Sequence, residues 1–423
     1  MKCDYACQSV DHQMARRDFL GTLAGGFVVG GLGALTSPLA AAHLKREQMR
    51  VLVVFMSGGL SQLESWDPKP KTDTGGPFRA IPTAVPGMHI SELLPQTALH
   101  MDKLALIRSI NTRNGDHSKG RHQMERGRNQ MPGQDFPHLG AVVAKSLERS
   151  DNPLPGHIRV PGGGRGSDAA YLGPRYNSIG VNGQPPANSA RAGSLSEQAD
   201  QARNDFRRRL NDRFMQQRRT AETDVYLQSY EQALQLMERR DVFDVEKEPA
   251  KEHERYGDSE FGKHCLMSRR LLEHGIPFVQ VSHSNYDTHN ENFNFHLEQL
   301  GEFDRGFSAL IGDLHERGML ESTLVVVMSE FGRTPRINAR FGRDHWGNAW
   351  SVCVGGARIQ PGAIIGKTNE NGTAVVDREV NHGDLFHTYL SAVGLDSSDS
   401  FDIGGRSQPL ADPAHVPIHE LLS

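Results

Sequence analysis

The sequence predicts an α/β fold of three layers, a sheet sandwiched between helices, and three observations predict it. Met49 to Met56, MRVLVVFM, is a continuous apolar and β-branched run, the composition of a strand buried on both faces of a parallel sheet. Thr323 to Met328, TLVVVM, repeats that composition. Helical patterns lie between such runs, and strands alternating with long helices build a sheet covered on both sides.

Taken in order, the chain opens with Arg16-Arg17-Asp18-Phe19-Leu20 ahead of an apolar, glycine-rich run from Gly21 to Leu39 that ends in Ala40-Ala41-Ala42. This pattern is that of a twin-arginine export signal, 1–42, with cleavage after about Ala42. It places the protein in the periplasm or otherwise outside the cytoplasm, with the membrane met only during export. Cys3 and Cys7 fall in this leader, so Cys265 and Cys353 remain, and a disulfide framework is not the source of stability.

The expected single domain runs from 43 to 423. Leu104–Ile110, Pro277–Val281 and Ser351–Val354 are shorter strand candidates. Ser259–His274 places Phe261, Cys265, Leu271 and Leu272 near one helical face, and Phe293, Leu297, Leu300, Phe307, Leu310, Ile311 and Leu314 repeat at helical spacing. Two stretches interrupt the alternation. Residues 161–194 are rich in Gly, Pro, Asn and Ser and read as a surface or lid loop, and residues 195–255 read as a charged helical insertion. A net charge of −4 and the lack of basic blocks interleaved with aromatics argue against nucleic acid as a partner.

In open α/β sheets ligands collect beyond the carboxyl ends of the strands, so the polar residues after each apolar run are the ones to inspect. Thr112, Asp116, His117, Ser118 and His122 follow one run; His283, Asp287 and His289 follow another; Glu330 and Arg333 follow TLVVVM. GRDHWGN adds Asp344 and His345. Mixed carboxylates and imidazoles are ligand chemistry for Zn, Mn or Fe(II). Asp287 and His289, two apart in an extended segment, share a face, although Asp287 or Asn290 could instead cap the following helix. A buried Glu330 needs a cation, from Arg333, Arg336 or a metal. GGGRG, Gly162 to Gly166, lacks the Lys-Ser/Thr ending of a phosphate loop and reads as a flexible loop.

Four stretches carry a family resemblance: FMSGGLSQLESWDPKP from Phe55, SEFGRTPRIN from Ser329, GRDHWGNAWSVCVGG from Gly342 and PGAIIGKTN from Pro361. Behind an export signal, they resemble domain-of-unknown-function family 1501, abundant in planctomycete-like bacteria and similar to the alkaline phosphatase and sulfatase superfamily. The resemblance implies an alkaline-phosphatase-like α/β/α sheet with one or two divalent ions at the strand ends, Zn first, with Mn, Fe and Ca open. By that resemblance Asp287, His289 and His345 look like ligands of the first metal. Glu330 falls where a second metal is held, with His117 and Asp344 further candidates, and Thr112 or Ser118 is the nucleophile. Arg333 or Arg113 would offset charge on the transferred group.

Three departures stand beside it. Met56-Ser57-Gly58 lacks the usual metal-binding Asp, Phe331 replaces an expected histidine, and Asp67 suits a turn before Pro68 better than it suits the missing acid. CLMSR, Cys265 to Arg269, is similar to the cysteine motif of type I sulfatases, but Met267 stands where proline is expected, so Cys265 reads as a core residue. The sequence therefore points to an exported metal-dependent hydrolase of a phosphate or sulfate ester, on a small molecule or glycan. The alternative is a degenerate member that binds a glycan, metal or envelope partner.

Overall fold

A computed structural model describes residues 49–147, 152, 154–162, 167–185, 189–217 and 221–423. The export signal with Cys3 and Cys7, and Gly163 to Gly166 of the glycine-rich stretch, lie outside the described residues. The central sheet has eight strands: β1 (Arg50–Met56), β2 (Leu104–Ile110), β3 (His157–Val160), β4 (Ile179–Gly180), β5 (Phe278–His283), β6 (Thr323–Met328), β7 (Trp350–Gly355) and β8 (Ile364–Ile365). Their order across the sheet is β8-β2-β7-β6-β1-β5-β3-β4.

Period-two alternation explains why β1 sits at the centre. Val51, Val53 and Phe55 enter one core and Leu52, Val54 and Met56 enter the other, so no side of the strand meets water. The first core is closed by helices α2 (Leu139–Leu147) and α7 (His382–Ala392), and the second by α5 (Glu260–Glu273) and α6 (Asn292–Glu316). This is the expected three-layer α/β class. Cys265 and Cys353 are free and buried, which makes Cys265 the core residue expected of it.

The sheet is mixed rather than parallel throughout. β1 runs parallel to β5 and β6, but β7 runs antiparallel to both β2 and β6. The 329–349 connection from β6 to β7 contains no helix to carry the chain back across the sheet, and a return without crossover forces antiparallel pairing. The consequence is functional, because the whole connection stays at the carboxyl ends of β1, β2, β5 and β6.

Two expectations change in detail. The 161–194 stretch contributes β4, paired parallel to β3, and is therefore part of the sheet edge. In α6 the apolar repeat holds from Leu300 onward, but Leu297 is exposed while Asn292, His296 and Gln299 face inward. The first turns of this helix are polar on their buried side because they support the site: Asn292 donates to Glu64 and His296 accepts the Ser61 N–H. The charged 195–255 stretch forms helices α3 (Glu197–Gln217) and α4 (Ala221–Glu238).

Candidate metal centre

The loop after β2 delivers His117 to a common point, the loop after β5 delivers Asp287 and His289, and the β6–β7 connection delivers His345 with Glu330 behind His117. His117 opens helix α1 (His117–Arg126), whose N-cap Asp116 accepts the Lys119 N–H at 2.9 Å. Asp116 is thus a cap. Neither Asp287 nor Asn290 caps the helix after β5; Glu291 stands at that N-cap, so the capping explanation for Asp287 fails.

Asp287 is the hub. Its Oδ1 lies 3.1 Å from His345 Nε2 and 3.2 Å from His289 Nε2, and its Oδ2 lies 3.4 Å from His117 Nε2. Ligand atoms of His117, Asp287 and His345 all fall within 4.8 Å of one another. Close approach of the backbone is required here. A Cβ on Gly58 would come within 2.5 Å of the Asp287 nitrogen, and one on Gly342 within 2.0 Å of the His289 carbonyl oxygen.

Each ring is fixed through its other nitrogen. His345 Nδ1 donates to the Gly115 carbonyl at 2.7 Å, an oxygen that can only accept. His289 Nδ1 donates to Asp344 Oδ1 at 2.7 Å, and this hydrogen bond holds the Asp344 carboxyl below its ordinary range. His117 Nδ1 donates to Glu330 Oε1 at 2.8 Å. The three protons are therefore assigned to Nδ1 by their acceptors, which leaves lone pairs on the three Nε2 atoms facing the hub.

Glu330 is wholly buried, and its Oε1 also takes the Gly58 N–H at 3.0 Å. Burial opposes its ionisation, but the His117 bond and the backbone N–H hold its pKa below the usual value. Its direct partners are therefore the His117 and Gly58 N–H groups, with Arg121 the cation acting on it, and neither Arg333 nor Arg336 bonds it. Arg333 instead bonds Asp287 Oδ1 at 2.7 Å. Partial burial raises the Asp287 pKa, yet the Arg333 guanidinium outweighs it and brings that carboxyl to about 2.

The charge-offsetting role expected of Arg333 gives way for a physical reason. Its guanidinium is completely buried and donates to the carbonyls of Gly59, Arg343 and Gly58 as well as to Asp287. Arg113 is exposed and pairs with Glu379 at 3.5 Å. Thr112 is buried with its hydroxyl 3.5 Å from the Gly347 carbonyl, whereas Ser118 is exposed on the first turn of α1. His283 turns to the Tyr286 hydroxyl at 2.8 Å and to Glu302. Asp67 bonds Lys69 at 2.9 Å and takes the Thr368 hydroxyl, as befits a structural turn. Phe331, where a histidine is expected, packs its ring 4.4 Å from that of His345 and 4.8 Å from that of His117.

Sequence reasoning missed the support behind these groups. Arg343 and Glu64, both completely buried, form an ion pair with Arg343 Nη2 2.8 Å from Glu64 Oε1. Arg343 also donates to the carbonyls of Thr334, Pro335 and Thr74, which locks the 329–349 connection onto the first loop. Arg121 donates to the Ser57 hydroxyl at 3.0 Å. Its spacing of four from His117 on one helix was the available signal.

The model of the family described as protein of unknown function (DUF1501) matches residues 48–422. The chain belongs to that family. No curated protein matches this DUF1501 chain. Among solved structures it is similar to the C-terminal periplasmic domain of EptC from Escherichia coli in complex with Zn, at 10% identity over 86% of this chain and 87% of that one, with a TM-score of 0.41. It is similar to the PsFucS1 sulfatase from Pseudoalteromonas, at 13% identity over 84% and 70% of the two chains, with a TM-score of 0.38. A protein in the alkaline phosphatase superfamily from Vibrio parahaemolyticus shows 10% identity over 82% of this chain and 67% of its own, with a TM-score of 0.33.

Proposed function

We propose that this DUF1501 protein is an exported, metal-dependent hydrolase of a phosphate or sulfate ester, with a divalent ion held by His117, Asp287, His289 and His345. The observation that carries the reading is that three imidazole Nε2 atoms lie 3.1, 3.2 and 3.4 Å from the Asp287 carboxylate, His117, Asp287 and His345 close enough to share one ion and His289 next to them, each ring fixed by an acceptor at Nδ1. Orienting acceptors behind imidazoles are a regular feature of histidine metal sites. The donor set, three nitrogens and a carboxylate with no thiolate, suits Zn best, with Mn and Fe(II) compatible. The ester specificity rests on the resemblance of the SEFGRTPRIN and GRDHWGN stretches.

The chain's own groups have distinct tasks in this reading. Glu330, Asp344 and the Gly115 carbonyl orient His117, His289 and His345 and keep their protons on Nδ1. Arg333 keeps Asp287 ionised and fixed. Ser118, the exposed hydroxyl residue that follows His117 in the first turn of α1, takes the nucleophile's place ahead of Thr112, whose hydroxyl faces the Gly347 carbonyl. A divalent ion bound there supplies Lewis-acid polarisation of the ester oxygen. The substrate is a small-molecule or glycan ester met outside the cytoplasm.

The test is elemental mass spectrometry on the folded protein beside Asp287→Ala, followed by chromogenic phosphate mono- and diesters and sulfate esters with Zn, Mn and Ca. About one metal per chain, with turnover that Asp287→Ala abolishes, is the expected result. Normal turnover in Asp287→Ala sinks the reading. One observation favours a second reading, a non-catalytic member that binds metal and glycan: Arg333 is already spent on carbonyls and Asp287. Metal retention with silence toward every ester would select it.

A further inference from the structure

Helix α3 carries an exposed apolar row that the metal centre does not use. Phe206, Leu210 and Phe214 recur every four residues and therefore share one face of the helix. They are 57%, 48% and 51% exposed, although a soluble helix ordinarily turns such a row inward. The other side of α3 is already used: Asn204, Asp205 and Arg208 line a cleft with Leu234 and Met237 of α4, and Arg207 and Arg208 pair with Glu231. Packing within the arm does not account for the apolar row.

The charges beside the row identify what it meets. Arg209 and Arg213 flank it, both exposed. Arg203, Arg207 and Arg208 have acidic partners, but Arg209 and Arg213 have none among the described residues. A cationic, apolar strip on a chain whose net charge is −4 is a local feature rather than an average property. We propose that this face of α3 docks on the surface of an anionic lipid bilayer, with Phe206, Leu210 and Phe214 at the acyl boundary and Arg209 and Arg213 at the level of the phosphates.

Two features favour lipid over a protein partner. A single row of three side chains is far smaller than the roughly 800 Å² per partner of a specific protein interface. Protein interfaces deplete charge at their centre, whereas surface-lying helices interleave arginine with phenylalanine and leucine. The docking is independent of the metal reading and adds a membrane contact beyond export.

The experiment uses the full chain and vesicles of phosphatidylcholine with or without phosphatidylglycerol. It reads co-sedimentation together with amide hydrogen exchange across Glu197–Gln217. Anionic vesicles are expected to slow exchange in α3, and added salt to reverse the effect as screening shortens the reach of the arginines. Phe206→Ser/Leu210→Ser/Phe214→Ser and Arg209→Glu/Arg213→Glu should each lower the partition coefficient by about tenfold or more. The apolar leader is common to all variants, so it cannot produce that difference, and circular dichroism confirms that each variant is folded. Unchanged exchange in α3, equal binding by the variants, or protection that appears with protein concentration in the absence of lipid would overturn the proposal; the last would assign the face to a second copy of the chain.

Discussion

The Nε2 atoms of His289 and His345 stand 2.9 Å apart, each on a ring whose Nδ1 proton is already given away, to Asp344 and to the Gly115 carbonyl. Two neutral rings in that arrangement point lone pair at lone pair, and only a proton or a cation between them turns repulsion into attraction. Removing both rings should therefore abolish metal retention without lowering the stability of the metal-free protein. The check is metal content and thermal melting in chelator for His289→Ala/His345→Ala. A variant that keeps its metal, or that melts several degrees lower without it, contradicts the assignment.

Asp344 Oδ1 holds the His289 ring directly at 2.7 Å, with Asn338 Nδ2 a longer second donor at 3.4 Å. Asp344→Asn preserves size but weakens the acceptor that fixes the ring. Metal affinity should fall by roughly 10–100-fold, the usual cost of losing an orienting partner. Competition titration against a chelator measures it, and an unchanged affinity would mean that Asp344 is only a surface acid.

Acid should release the metal through the imidazoles before the carboxylate. The Glu330 hydrogen bond raises the His117 pKa above its ordinary value while burial pushes that of His345 below it, and Asp287 is held at about 2. Asp287 has a depressed folded pKa, so its contribution to stability is present above its unfolded pKa of about 3.9 and is lost only as pH falls toward 2. Imidazole protonation competes with the ion from about pH 7 downward, at His117 first and at His345 last. Bound metal followed against pH should therefore decline between roughly pH 7 and 4. A midpoint near pH 3 would make the carboxylate the controlling group.

Breaking the Glu64–Arg343 pair should damage fold and site together. Both side chains are completely buried, so Glu64→Gln leaves Arg343 charged and uncompensated, at a cost of about 3–5 kcal/mol. Burial raises the Glu64 pKa, but Arg343 and His296 outweigh it and the net shift is downward. Its stabilisation is present above the unfolded carboxylate pKa and fades as pH falls through the lower folded value. Urea unfolding at neutral and acid pH should show a large deficit for the variant that narrows on acidification. A deficit equal at both pH values would remove this pair from the acid sensitivity of the fold.

The parts of this protein that were legible in the sequence are those whose signal is local. β1 and β6 are apolar on both faces, so period and composition alone mark them, and the residues just past them fall at the strand ends by construction. The antiparallel β7 was not legible, because direction depends on whether a connection crosses the sheet. Asp287 and His289 stood out as a pair two residues apart. Their partners did not: the Gly115 carbonyl has no side chain to notice, and Glu64 meets Arg343 only because the 329–349 connection folds back on the first loop. Leu297 departs from the pattern because the inward face at the start of the helix runs through Asn292, His296 and Leu300, which leaves Leu297 to its side and exposed.

The nucleophile is the part of the mechanism on which the two readings divide. Ser118 follows His117 on the exposed first turn of α1, while the Thr112 hydroxyl lies 3.5 Å from the Gly347 carbonyl in a buried loop. If a covalent step operates at Ser118, Ser118→Ala should retain its metal and lose turnover by roughly 10³-fold or more, because a nucleophile acts as a unit with the groups around it. Thr112→Val should keep turnover within a few-fold, since its hydroxyl is engaged away from the hub. Steady-state rates for both variants on the most active ester, with metal content measured on the same samples, decide the matter. Full turnover in Ser118→Ala with the metal in place would leave attack by water, with Asp287, His289 and His345 unchanged in their roles and the hydroxyl of Ser118 without one.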